Sequence, residues 1–107
     1  MIHELRVYRA VPGRLNELIE RFGSHTIPIF QRHGIRPLSF WTGQEPGQSN
    51  DLYYLLEWDD LAHQERAMAA FRADPEWQEV RARTEANGSL ITGTDCTLLS
   101  PITPGQT

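Results

Sequence analysis

The sequence predicts an α+β protein of the ferredoxin-like class, with the element order β-α-β-β-α-β and a four-stranded antiparallel sheet. Residues 2–10 alternate apolar and polar residues, residues 89–99 do so weakly, and two further short segments are rich in aromatic or aliphatic residues. Two longer segments repeat apolar residues every three or four positions, and turn-forming residues separate these segments. With short connections and right-handed crossovers, this order places both helices on one face of the sheet and leaves the other face bare. The chain has 107 residues, which predicts one domain over residues 1–100 and a C-terminal tail over 101–107.

The first half of the chain predicts a strand, a kinked helix and a second strand. Residues 2–10 alternate and form the first strand, after which Pro-Gly breaks the pattern. Helical spacing then extends from residue 15 to His33, with Pro28 inside the run. Because Pro28 removes a backbone hydrogen bond, a kink or a new helical turn is expected there. His33 and the glycine after it predict the C-terminal cap, and residues 36–43 predict the second strand.

The second half predicts the other strand of a hairpin, a helix, a short helix and a last strand. The third strand, the short helix and the fourth strand are expected over residues 51–58, 76–87 and 89–99. Another helix is expected between the third strand and the short helix. Asp59 and Asp60 supply its N-cap, and Asp74 and Pro75 end it.

Composition and charge exclude several classes of chemistry. All ten basic residues are arginines, so no lysine is available for a Schiff base or for a phosphate-binding loop. The net charge of −4 disfavours nucleic-acid binding, and no apolar run approaches the length that spans a bilayer. Residues 1–9 resemble neither a signal peptide nor a transit peptide. The single cysteine, Cys96, fits a reducing, cytoplasmic compartment and is expected to be buried and inert in the last strand.

The bare face of the predicted sheet carries large apolar and aromatic side chains. An uncovered patch of this size is typical of a partner surface. Apolar residues make up 39% of the chain, which gives a single protomer only a modest core. A homodimer in which two copies stack sheet on sheet is therefore expected.

Several short motifs, taken in order, resemble the NIPSNAP family. The opening I-H-E-L-R-V-Y-R-A-V-P-G is similar to that family's first strand and Pro-Gly turn, and R-H-G at 32–34, F-W at 40–41 and D-P-E-W at 74–77 follow at the family's spacing. The resemblance covers residues 2–99. It implies a dimeric α/β barrel, closed between the sheets of two ferredoxin-like protomers. That superfamily includes cofactor-free monooxygenases, isomerases, cyclases, lyases, haem-dependent enzymes and non-catalytic proteins, so the fold alone does not select a function.

The first strand places Glu4, Arg6 and Tyr8 on one face, a set that suits the binding of a carboxylate or an enolate. In this interpretation Arg6 anchors the anion and Tyr8 donates a proton. The alternative is a structural Glu–Arg ladder, which Glu57 of the third strand would join across the sheet. The sequence leaves the face open, although the aliphatic residues between the three suit the helix side and would send them into the barrel.

The histidines have weaker patterns. His25 is close to the apolar stripe of the first helix and is the predicted general base, because imidazole titrates near neutrality. The alternative for His25 is a surface or core histidine. His33 is expected to cap its helix, and His63 to belong to the cap around Asp59. No metal-binding spacing occurs and nothing singles out a haem ligand, so neither a metal nor a cofactor is expected.

Aromatic residues on the hairpin suit the wall of a pocket for a flat molecule. Trp41 and Trp58 lie on neighbouring strands, and Tyr54 is a second candidate proton donor. Ordinary core or interface packing is the alternative for all three. Trp77 is expected to anchor the short helix.

The leading hypothesis is a homodimer that binds a hydrophobic or aromatic small molecule and catalyses cofactor-independent acid–base chemistry. The reaction would be an isomerisation, a cyclisation, a lyase reaction or an oxygenation. The candidate catalytic residues are His25, Tyr8, Arg6 and Tyr54, and the candidate substrate-binding residues are Glu4, Trp41, Trp58 and Glu57. The alternative is a non-catalytic ligand-binding or protein-interaction module of the same fold.

Overall fold

A layer of helices covers one face of a four-stranded sheet in the computed structural model, which describes residues 1–105. The strands are β1 (Ile2–Ala10), β2 (Arg36–Thr42), β3 (Asp51–Trp58) and β4 (Ile91–Leu99). The helices are α1 (Leu15–Arg21), α2 (Ile27–Arg32), α3 (Leu61–Ala73) and α4 (Pro75–Thr84), and a π-helical turn (Phe22–Thr26) joins α1 to α2. The strand order is β2-β3-β1-β4 with all neighbours antiparallel, which confirms the predicted ferredoxin-like class.

The last strand begins later than the sequence predicts. Ser89 stays outside the sheet because its Oγ donates to the carbonyl oxygen of Ile91 at 2.8 Å and accepts from the Ile91 N–H at 3.3 Å. The predicted tail over 101–107 follows the end of β4, and its last two positions, 106 and 107, lie outside the described residues.

The π-helical turn divides the helical run that Pro28 was expected to kink. The N–H of Ile27 donates to the carbonyl oxygen of Phe22, five residues back. Pro28 then stands in the first turn of α2, the part of a helix in which proline is over-represented. The new helical turn expected at Pro28 is therefore present. The extra residue in the π turn changes the direction in which the following side chains point, and both Phe22 and Phe30 are buried.

Asp74 links the end of α2 to the start of α4. Its Oδ1 accepts from the N–H groups of Glu76 and Trp77 at 2.8 and 3.2 Å, which makes it the N-cap of α4. Its Oδ2 accepts from Arg32 Nη1 at 2.7 Å and lies 2.6 Å from Nε2 of His33, the predicted C-cap residue of α2. The hydrogen bonds from Arg32 and then His33 hold the pKa of Asp74 well below its usual range.

We expect Asp74→Asn to lower the Tm at pH 7 by roughly 5 °C, since it replaces a charged cap by a neutral one, removes the ion pair with Arg32 and weakens the contact with His33. A carboxyl group with a depressed pKa stabilises the fold above its unfolded-state pKa of about 3.9 and loses that contribution as pH falls toward the folded-state value. The gap in Tm between wild type and Asp74→Asn should therefore narrow as the pH is lowered through 4, measured by circular dichroism. Asp60→Asn, which neutralises the cap of α3, a cap with no arginine partner in residues 1–105, serves as the control. An Asp74→Asn gap that is the same at pH 3 and pH 7 would contradict this account.

Aromatic side chains fill the space between the sheet and the helices. Tyr54 and Trp58 of β3 are fully buried on this side. The rings of Phe22 and Tyr54 lie 5.0 Å apart, and those of Phe30 and Phe71 lie 4.9 Å apart. Edge-to-face contacts of this kind add to the burial of apolar area. This layer therefore contains most of the protomer's core.

Within residues 1–105, no layer covers the opposite face of the sheet. Leu5 and Val7 of β1 share this open face with Tyr53 and Leu55 of β3, and Trp41 of β2 lies 50% exposed beside them. The protomer is only 19 Å thick, and its radius of gyration is 14.8 Å. A compact chain of this length has a radius of gyration of about 13 Å. The protomer is thus a two-layer slab with one apolar face open.

The prediction that Cys96 is buried is wrong, because the side chain is exposed. Strand β4 is an edge strand, and every residue from 94 to 99 is exposed on both faces. The helix layer packs over β2 and β3 and leaves this end of the sheet uncovered.

Candidate functional site

Arg6 is the centre of a polar network on the helix-covered face of the sheet. Its Nε donates to Tyr54 Oη at 2.7 Å, its Nη1 to Glu4 Oε2 at 3.0 Å and its Nη2 to Tyr8 Oη at 3.2 Å. The Arg6 and Glu4 side chains are 9% and 2% exposed. A guanidinium group has five N–H donors, so these three bonds leave two N–H groups for another acceptor.

The expectation that Glu4, Arg6 and Tyr8 point into a barrel between protomers is wrong, because they point toward the helices. Strand alternation sends the aliphatic residues Leu5 and Val7 to the open face instead. The physical reason is that the polar groups satisfy one another in the aromatic layer, so their burial leaves few bonds unmade.

Glu4 and Tyr54 both accept hydrogen bonds from the Arg6 guanidinium, and both are buried. Glu4 Oε1 accepts from Trp58 Nε1 at 3.0 Å and from Gln64 Nε2 at 3.4 Å, so both carboxylate oxygens have protein partners. Burial, and then the neighbouring Tyr8, raise the pKa of Tyr54 well above its usual value, which keeps its hydroxyl neutral. Because Tyr54 and Trp58 are fully buried, they hold Arg6 and Glu4 in position and do not line a cavity.

A cleft of about 200 Å³ lies above Arg6 and Tyr8, between β1 and the helices α3 and α4. Its wall combines apolar and cationic side chains. The lining residues are Arg6, Tyr8, Arg21, Met68, Phe71, Arg72, Trp77, Arg81, Glu85, Ser89 and Ile91. Four guanidinium groups thus face one carboxylate, in a chain whose net charge is −4. This local excess of positive charge favours an anionic ligand.

The single carboxylate in the wall is shared. Glu85 Oε2 accepts from Arg21 Nη1 at 2.9 Å and from Arg81 Nε at 3.3 Å. Arg72 has no carboxylate within ion-pair distance among residues 1–105. The guanidinium carbon of Arg21 lies 5.2 Å from the centre of the Trp77 ring, which in turn lies 4.7 Å from Phe71. The wall is therefore an aromatic surface with cations around it, and Trp77 packs as the predicted anchor of α4.

Three of the predicted site residues lie elsewhere. His25 is half-buried in the π-helical turn, with its Nε2 3.5 Å from Arg83 Nη2, and it lines a second cavity instead of the cleft. The prediction that it leans over the sheet is wrong, because the π turn directs it toward the outer side of α4. Trp41 and Glu57 lie on the open face, where Glu57 pairs with Arg36 at 3.2 Å. Neither joins Arg6, since neighbouring residues of a strand point to opposite faces.

Sequence reasoning missed the cationic wall of the cleft. Arg21 follows the buried Leu18 by three positions on α1, and this spacing places it on the buried side of the helix. Arg81 and Glu85 are four positions apart, the spacing of an ion pair on α4. Both signals are common on helix surfaces, and only the packing of α4 against α1 brings the two sets together.

His63, the remaining histidine of the sequence predictions, has a structural role, and the described residues hold neither a metal-binding cluster nor a membrane-spanning helix. His63 belongs to the cap of α3, because its backbone N–H donates to Asp60 Oδ1 at 2.7 Å. Within residues 1–105, no group of three or more His, Cys, Asp or Glu side chains is arranged to hold a metal ion. None of the helices described is both long enough and apolar enough to cross a bilayer.

Solved structures of other proteins share this fold. A NIPSNAP domain protein of uncharacterised function from Burkholderia xenovorans superposes with a TM-score of 0.82 at 21% identity, over 100% of both chains. A NIPSNAP-like domain protein from the same organism gives 0.82 at 25% identity, over 99% of this chain and 89% of that one. A putative antibiotic biosynthesis monooxygenase from Chloroflexus aurantiacus gives 0.56 at 20% identity, over 96% and 95% of the two chains, and shows a shared fold alone.

Sequence comparison points to the same family. NipSnap homolog 3B of Mus musculus is 29% identical over 77 residues, or 72% of this chain, and NipSnap homolog 3A of Homo sapiens is 27% identical over 79 residues, or 74%. The chain spans only 30% and 31% of the lengths of these relatives. The family model for NIPSNAP matches residues 3–104. The chain therefore belongs to the NIPSNAP family, as its ordered motifs predicted.

Proposed function

We propose that this protein binds a small anionic molecule with a flat, unsaturated body in the cleft between β1 and the helices α3 and α4. The observation that carries the proposal is the convergence of four arginines and one carboxylate on a cavity with an aromatic wall. Apolar walls with a few placed polar groups are typical of small-molecule sites. The proposed ligand therefore has an aromatic or otherwise unsaturated body and a negative charge. The sequence predicted only a hydrophobic or aromatic ligand, so the charge is the added property.

The floor of the cleft suits an oxygen that gains negative charge. Arg6 offers two unused N–H groups, and Tyr8 lines the cleft beside it. Glu4 and Tyr54 fix the guanidinium from below, so the donors are oriented before a ligand arrives. We propose that Arg6 and Tyr8 stabilise an enolate or phenolate oxygen, the charge that develops in cofactor-independent isomerisations, cyclisations and oxygenations. In these roles Arg6 and Tyr8 are the catalytic candidates, and Glu4, Tyr54 and Trp58 are positioning residues.

The second candidate is a non-catalytic binding module that uses the same cleft. One observation favours it: among the described lining residues there is no histidine, and the only carboxylate, Glu85, is held by Arg21 and Arg81. A general base for carbon acids is therefore not supplied by an unengaged side chain of the cleft.

We also propose that two copies pair through the open face and close a barrel between their sheets. The open face carries Leu5, Val7, Tyr53, Leu55 and Trp41 without cover in the protomer. The 19 Å thickness of the slab supports this, since sheet-on-sheet stacking would add the missing layer.

Phenylpyruvate is a suitable probe for the cleft, because it combines a ring, a carboxylate, a carbonyl and an acidic methylene group. We expect it to bind the wild type in ligand-observed NMR and to bind at least about tenfold more weakly to Glu4→Gln/Arg6→Met, a double variant that leaves the net charge unchanged. Tyr8→Phe should weaken binding less, and Tyr53→Phe on the open face is its matched control. Failure of phenylpyruvate and of related aromatic acids to bind more tightly than about 10 mM would overturn the proposal.

Deuterium exchange separates the two candidate functions. In D₂O an enzyme would accelerate the exchange of the phenylpyruvate methylene protons above the buffer rate, and Tyr8→Phe would reduce that acceleration. A binding module would leave the exchange rate at the buffer value while the ligand is bound.

A further inference from the structure

Arg21 carries a buried donor that no group within residues 1–105 satisfies. The residue is 4% exposed and lines the cleft. Its hydrogen bonds to Glu85 Oε2 at 2.9 Å and to Thr84 Oγ1 at 3.2 Å both leave from Nη1. Its Nε is buried and has no hydrogen-bond partner in the described residues. Unpaired buried donors are rare because they are costly, and a functional role is one of their common explanations.

The Nε edge of this guanidinium lacks a hydrogen-bond partner among residues 1–105. Trp77 lies under the guanidinium carbon at 5.2 Å, and Thr84 and Glu85 hold the opposite edge. The Nε side of a guanidinium matches a carboxylate through two parallel hydrogen bonds. Because these three neighbours already hold the guanidinium in place, less side-chain conformational entropy would be lost when a ligand binds.

The charge around Arg21 also leaves room for an anion. Its only carboxylate partner among the described residues, Glu85, is shared with Arg81, whose side chain is 66% exposed. Two guanidinium groups therefore share one negative charge in the wall of the cleft. A second carboxylate, supplied by a ligand, would balance them without displacing Glu85.

We propose that Arg21 is a carboxylate-binding subsite, and that Arg6 and Tyr8 hold a second oxygen of the same ligand. This rests on the proposed function and names its substrate class: a small carboxylic acid that also carries a carbonyl or phenolic oxygen, with an unsaturated body packed on Trp77 and Phe71. A volume of about 200 Å³ is that of roughly seven water molecules, which suits a ligand of about one ring with short substituents.

The test compares phenylpyruvate with phenylacetone, in which a methyl group replaces the carboxylate. We expect the wild type to prefer phenylpyruvate by at least about tenfold, as a charge-assisted bidentate pair would give. Arg21→Gln should lose this preference while it keeps its affinity for phenylacetone, and Arg21→Lys should restore only part of it. Arg83→Gln, which removes the same charge from α4 but lies outside the cleft and pairs with Glu79, is the matched control and should keep the preference.

A second measurement uses the wild-type protein alone, so it does not depend on whether the variants fold. The Nε–H NMR signal of Arg21 in the wild type should shift on addition of phenylpyruvate and stay in place on addition of phenylacetone. An unchanged preference in Arg21→Gln, or an unmoved Arg21 signal while phenylpyruvate is bound, would overturn the subsite and leave the proposed function standing. Binding of neither compound would overturn the proposed function together with the subsite.

Discussion

Replacing Arg6 by methionine is expected to destabilise the fold by about 3–5 kcal/mol, because it leaves a buried carboxylate without its cation. Glu4 is 2% exposed and lies 3.0 Å from Arg6 Nη1. The remaining donors, Trp58 Nε1 at 3.0 Å and Gln64 Nε2 at 3.4 Å, are neutral and cannot balance the charge. Urea unfolding followed by circular dichroism at pH 7 and fixed protein concentration measures the loss.

The matched control is the double variant Glu4→Gln/Arg6→Met. It removes both charges, so most of the stability lost in Arg6→Met should return. If the double variant were as unstable as Arg6→Met, the unpaired charge of Glu4 would not be the cause. Arg6→Lys should lie between them, since one ammonium group cannot reproduce the planar fork that contacts Tyr54, Glu4 and Tyr8.

A single arginine at Leu55 is expected to separate the proposed homodimer. Leu55 lies next to Leu5 on the open face, so in a stacked pair each copy would bury its charge against the other sheet. Mass measurement in solution at tens of micromolar should change from twice 12.3 kDa in the wild type to 12.3 kDa in Leu55→Arg.

Ile19→Arg is the control for this substitution. Ile19 is 41% exposed but lies on α1, on the helix side of the slab, so the variant should keep the mass of the wild type. A wild-type chain that is monomeric at these concentrations, or a Leu55→Arg variant that keeps twice the protomer mass, would contradict sheet-on-sheet pairing.

Much of the fold follows from local pattern. The alternation of residues 2–10 and the aromatic and aliphatic residues of 51–58 predict β1 and β3 with the observed bounds. Strand geometry also places Phe40 and Tyr54 on one face of the hairpin and Trp41 and Tyr53 on the other, as the structure shows. The π-helical turn does not follow, since the same spacing of apolar residues fits a continuous helix with a kink at Pro28.

The candidate site is only partly contained in the sequence. Glu4, Arg6 and Tyr8 share a face because they are two positions apart, and this grouping is confirmed. Their direction is not fixed by β1 itself, because either face of a strand accepts polar residues when partners satisfy them. Tyr54 and Trp58 supply those partners from β3, 48 and 54 positions from the residues they contact.

By itself, the sequence determined the order of elements, the family and the fact that every positioned cation is an arginine. These properties depend on local periodicity, on short motifs and on composition. Only the tertiary structure decided which face of the sheet receives Arg6, that His25 lies outside the cleft, and that Arg21 joins Arg6 in one cavity. The physical reason is that these outcomes depend on the packing of the helix layer over the sheet and of α4 against α3 and the π-helical turn, which brings together side chains far apart in the chain.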